Sequence, residues 1–259
     1  MKNKVHEYCE SLSNHKSHRL YLMQNSGLPG PRANLELAKA FAQTAGQKVI
    51  DEYSSMNSRQ AHANTPEEFL AFCGILGLGR LAMEGKEKSL GKLRKAASDK
   101  RWRIREAVAM ALQMIGHFDM DWLIGIARNW IKGNYFEQRA AIAGLCEPDL
   151  LWDPRFAKPV FEILEQATVN IEKSKNRRTR GFKVLRKGLA YCWSVAVAAY
   201  PNEGKPIFEN WVSSEDRDVK WIVKQNLKKK RLQKIDPNWV ERLSQRLIMY
   251  AMRRTSNKS

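Results

Sequence analysis

SDKRWRIREAVAMALQMIG, residues Ser98–Gly116, decides how the rest of the chain is read. Ile104, Val108, Ala111, Leu112 and Ile115 recur at steps of three and four, which places them on one buried stripe of a helix. Its start is crowded by Arg101, Arg103 and Arg105, where the helix macrodipole disfavours positive charge. Either these arginines hold a polyanion, or they are solvated at the rim of a packed array.

A second segment, GNYFEQRAAIAGLCEP, repeats the pattern 34 residues on, with Phe136 in the place of Trp102 and Arg139 in that of Arg105. A third, SSEDRDVKWIVKQNLKKKRL, has Asp216 and Val219 ahead of a Trp/Ile helix. Each unit reads as a first helix, a tight turn with Asp or Asn, and a second helix. In the first two units the second helix is rich in alanine, and small residues let such helices stack closely, so that neighbours cover the apolar face each leaves bare. A helical bundle without repeats is the competing arrangement.

Elsewhere, helix signals follow one another and no alternating Val/Ile/Thr run is bounded by hairpin turns. Asn34 caps a helix expected to run to about Ser54. Thr65, Pro66, Glu67 and Glu68 mark another start. The expectation is an all-α chain of about ten or eleven helices with no significant sheet, in one domain over 1–259. Residues 1–25 form an N-terminal helix or arm, and 254–259 a frayed tail.

The strings LPGPRANLELAKAFA, FCGILGLGRL, RWRIREAVAMALQ, LCEPDLL, GLAYCWSVAVA and VKWIVKQNLKKKRL resemble a bacterial family described as HEAT-repeat-containing. The resemblance implies a right-handed superhelical solenoid of helix pairs and brings no activity with it. More distantly the chain is similar to the alkylpurine DNA glycosylases built on HEAT-like repeats. Those bind the DNA backbone in a basic concave groove and use an acidic residue flanked by aromatics. No motif here matches that set, so no catalytic residue carries over.

The formal net charge is +18 and the pI about 9.9, an excess that favours polyanionic partners. Hydrophobic residues make up 43%, which excludes wholesale disorder. No apolar run approaches the ~20 residues of a membrane span, and MKNKVHEYCESLSNHKSH has no apolar core of a signal peptide. Cys9, Cys73, Cys146 and Cys192 are scattered, as reduced thiols of a cytoplasmic protein would be.

Positive charge gathers around the opening stretch, in EKSKNRRTRGFKVLRK, and between Lys220 and Lys234. The candidate nucleic-acid contacts are Arg101, Arg103 and Arg105; Arg177, Arg178, Arg180, Lys183 and Lys187; and Lys220, Lys224, Lys228 and Arg231. Helical spacing aligns Arg180, Lys183 and Lys187, and likewise Lys220, Lys224, Lys228 and Arg231. Such stripes suit phosphate contacts, which position a protein on a duplex without reading its sequence. Merged along a concave face they would bind nucleic acid, with duplex DNA favoured. The alternatives are a scaffold for an acidic protein partner and a glycosylase of the alkylpurine type.

Trp102 and Trp152 sit beside charges at element boundaries, where an aromatic can stack on a base or sugar. Asp153, after Trp152, is the one candidate catalytic carboxylate and also a natural helix cap before Pro154. His6, Cys9, His15 and His18 form a weak candidate metal set that nothing later in the chain completes. Gly74, Gly77 and Gly79 lack the strand and βαβ unit of a dinucleotide fingerprint, so close helix packing explains them better and no nucleotide cofactor is expected.

Overall fold

A run as apolar as FLAFCGILGLGRLAM has no polar face to turn toward water, so the helix containing it must lie inside. In the computed structural model this is α5 (Pro66–Met83), whose side chains from Glu68 to Gly79 are all buried. The structure describes residues 4–14 and 18–256, with side chains through Met249. The described chain is all-α: fifteen α-helices, three short 3-10 turns and no strand. None of these helices is long and apolar enough to cross a membrane. The chain divides into two compact units, 1–120 and 121–259.

In the first unit α5 is the axis. Packed on it are α2 (His18–Gln24), α3 (Leu35–Thr44), α4 (Gln47–Ser54), α6 (Lys88–Ala96) and α7 (Trp102–Phe118), while α1 (Lys4–Asn14) lies on α3. The cap signals hold: Asn34 Oδ1 accepts the Leu37 N–H and Thr65 Oγ1 accepts the Glu68 N–H. The glycines of α5 allow close approach, as their spacing predicts. A Cβ at Gly74 would stand 2.3 Å from the Ser54 backbone nitrogen, and one at Gly79 would stand 3.0 Å from Ala111 Cβ.

One expectation fails locally. The helix read from Asn34 to Ser54 is two helices, because Ala45 and Gly46 are extended. Arg80 of α5 makes the break stable: its guanidinium donates to the Ala42 and Ala45 carbonyls, which the interrupted ladder leaves unpaired. Breaks of this kind explain why the helix count exceeds ten or eleven.

In the second unit the axis is α11 (Arg180–Ala199). It packs against α9 (Tyr135–Leu145), α10 (Ala157–Glu172), α12 (Pro201–Asn210), α13 (Arg217–Leu227) and α14 (Lys230–Ile235). The unit begins with α8 (Met120–Trp130) and ends with α15 (Pro237–Ser256), which lies on α13 and α14. Its core is a chain of rings: Phe161 to Trp193 at 6.0 Å, Trp193 to Phe208 at 5.6 Å and Phe208 to Trp239 at 6.0 Å. The buried Trp193 N–H is satisfied by Thr168 Oγ1 at 3.0 Å.

Candidate nucleic-acid interface

The cationic first turn of α7 faces inward. Arg101, Arg103 and Arg105 are all buried. Arg101 pairs with Asp99 and donates to the Met56 and Ala61 carbonyls at 2.8 and 3.0 Å. Arg103 reaches the Glu68 carboxylate at 3.2 Å and the Gly30 carbonyl at 2.6 Å. Arg105 donates to the Asp99 and Lys100 carbonyls. The expected phosphate contacts therefore do not form here: loop carbonyls without ladder partners take the guanidiniums instead. Burial pulls the Asp99 carboxyl upward, but hydrogen bonds from Arg101 outweigh it and leave it below the ordinary range.

Arg177, expected at a phosphate, is taken by carboxylates of its own chain. It is half-buried, bonded to Asp218 at 2.9 Å and to the Glu172 carbonyl at 2.8 Å, and ion-paired with Asp216. Arg186 closes on Asp218 from α11 and lies over the Trp221 ring, 4.2 Å from its centroid. Burial raises the Asp218 carboxyl, yet the hydrogen bonds and charges of Arg186 and Arg177 more than offset this and hold it below the usual carboxylate range. A depressed carboxyl adds stability above its unfolded value, near about 4, and loses it as pH falls through the folded value. Asp218→Asn is therefore expected to cost about 1–2 kcal/mol at neutral pH, the half-exposed arginines being partly solvated. It should also flatten the decline in melting temperature below about pH 4, read from thermal melts across an acid series.

Solvent-facing positive charge is present on α11, α13 and α14, and also elsewhere, as at Lys39, Lys48, Lys88, Lys132 and Lys158. Lys183 and Lys187 are exposed on α11, and Lys224 and Lys228 on α13 and its C-cap. Arg178 and Arg180 are exposed just before and at the start of α11, while Lys220 is half-buried with Glu215 at 3.5 Å. Tyr191, one turn beyond Lys187, was not singled out by charge pattern alone; it meets Arg231, which the break after α13 places on α14 rather than in the stripe of Lys220, Lys224 and Lys228. Its ring has the Arg231 guanidinium 4.6 Å and the Lys229 ammonium 5.7 Å from its centroid, and its hydroxyl accepts a bond from Arg231 at 2.8 Å. Its position four residues after Lys187 was the available signal.

The register of α13 on α11 is set by Asn226, which is fully buried. Its amide donates to the Leu189 and Ile222 carbonyls at 3.0 and 2.8 Å, and its oxygen accepts the Ser194 N–H at 2.9 Å. Ser194 Oγ in turn donates to the Tyr191 carbonyl at 2.7 Å. Residues 121–259 hold 27 Lys and Arg against 15 Asp and Glu, so +12 of the +18 lies in this unit.

Trp152 is 77% exposed and Trp102 51%, each in its own unit. Arg103 covers the Trp102 ring at 4.6 Å. Asp153 caps the turn after it, accepting the Arg155 N–H at 2.9 Å and pairing with the Arg155 guanidinium, which lowers its pKa. That leaves a held carboxylate rather than a proton donor. His6 pairs with Glu10 at 3.5 Å, Cys9 donates to Gln43, His18 opens α2, and His15 lies outside the described residues. Among the described residues no three metal-ligating side chains cluster.

No protein-family model matches the chain, and no curated protein does. One solved structure aligns with it, the crystal structure of an engineered protein from the Northeast Structural Genomics Consortium, at 14% identity over 90% of this chain and 97% of that one, with a TM-score of 0.35.

Proposed function

We propose that the chain is a cytoplasmic, HEAT-like nucleic-acid-binding module that holds the phosphate backbone of duplex DNA on the face made by α11, α13 and α14. The observation that carries this reading is the pair of exposed lysine rows, Lys183 with Lys187 on α11 and Lys224 with Lys228 on α13 and its C-cap, the two helices being packed against each other. Lysines on rigid helices neutralise phosphates without reading bases. Two-thirds of the chain's excess charge belongs to the unit that presents them, which supports a polyanionic partner.

Binding to a labelled duplex, titrated over a salt series, tests it. Affinity is expected to fall with salt at a log–log slope of about −0.9 per phosphate neutralised. Reversing Lys183, Lys187, Lys224 and Lys228 to glutamate should weaken binding about a hundredfold or more and lower the slope by about four, with the helical circular dichroism unchanged. A salt-independent affinity removes the proposal.

A further inference from the structure

Beside the lysine row of α13 lies a slot of about 570 Å³ between α13, α14 and α15. Its floor is apolar, formed by Trp221, Leu227, Val240 and Leu247. Its rim carries Arg217, Lys220, Lys224 and Lys228, and among the described residues no carboxylate lines it. Gln233 adds an amide at the edge. Trp221 is fixed here: Arg186 covers one face of its ring and is itself held by Asp218. Ile248, also lining the slot, is 55% exposed, so this apolar surface is left open.

From this geometry we infer that the slot receives an unpaired nucleotide of the bound nucleic acid. This inference rests on the nucleic-acid reading above and deepens it. Three features of the slot match the phosphate, the flat face and the polar edge of a nucleotide. The cations meet phosphate, the Trp221 ring and aliphatic floor meet the flat face of a base, and the Gln233 amide can donate to and accept from a base edge. The volume suits one small ligand rather than a duplex. Because every base has a π-face and one amide reads little, the slot favours unpaired over paired nucleotides without strong base preference. The rim lysines are shared with the backbone face, so a strand leaving a duplex end passes from one to the other.

Two labelled duplexes decide it, one blunt and one with a short single-stranded overhang, each titrated against the full chain. The overhang is expected to bind about tenfold tighter, the effect of stacking one base. Ser244→Phe, which fills the slot, and Leu247→Glu, which places a carboxylate in it, should each remove that difference while leaving the blunt duplex within about twofold of the parent. Equal, salt-dependent binding of both duplexes by the unaltered chain overturns the slot and leaves the backbone reading standing. Absence of binding to either overturns both. Tighter binding of an acidic amphipathic helical peptide, abolished by Ser244→Phe, overturns the slot in favour of a protein ligand.

Discussion

Glu68→Leu is expected to destabilise the chain by about 3–5 kcal/mol and to lower its melting temperature by on the order of 10 °C or more. The Glu68 side chain has no exposure to solvent and that of Arg103 has 6%. The carboxylate also accepts the Asn64 N–H at 2.7 Å, and Asn64 has a φ of 64°, so the loop before α5 relies on that bond. Leucine fills the volume but leaves the guanidinium of Arg103 buried with no carboxylate, only the Gly30 carbonyl and the Trp102 ring beside it. The cost is mainly that of an uncompensated buried charge. The pair is not ideally satisfied even in the native chain, since Glu68 Oε1 and Arg103 Nε have no hydrogen-bond partner among the described residues. Replacing both, as Glu68→Leu with Arg103→Met, should therefore recover at least about 1 kcal/mol of the loss. A double variant no more stable than Glu68→Leu would show that the loop bond, not the charge, dominates. Chemical denaturation of the parent and the two variants measures each term.

Gly74→Ala should cost about 3 kcal/mol, although alanine is the better helix former by about 1 kcal/mol. The obstacle is backbone: the added carbon would meet Ser54 N at 2.3 Å, the Tyr53 carbonyl carbon at 2.6 Å and Tyr53 Cβ at 2.8 Å. No rotamer change relieves such contacts, so α4 must move away from α5 and surrender packing around Ile50 and Tyr53. Gly91→Ala in α6 is the matched control, because nothing lies within 4 Å of its added carbon. There the propensity gain stands alone and the sign reverses, to a stabilisation of up to about 1 kcal/mol. Parallel thermal melts of the two variants compare them directly.

Apolar periodicity and capping residues made the all-α class readable, because each helix depends mostly on its own residues. Asn34, Thr65 and Asp153 cap as their neighbours in sequence imply. What periodicity missed came from far along the chain. The break at Ala45 is held by Arg80, 35 residues away, and Arg101 turns inward to serve carbonyls at residues 56 and 61. An arginine on a helix looks the same in sequence whether it meets a phosphate or a distant loop carbonyl. Lysine behaved more predictably: Lys183, Lys187, Lys224 and Lys228 all face solvent, since a compact ammonium on a flexible stem is rarely drawn into a core. Tyr191 needed the fold, because only the packing of α14 on α11 brings Arg231 to its ring.

Asn226 has a kinetic consequence. By trading bonds with the main chain of α11, its amide resists sliding of α13 along its neighbour, so the register of the two helices is set by the chain itself. A polyanion landing there would pay no cost of ordering helices, and the field of the face would act on the speed of encounter.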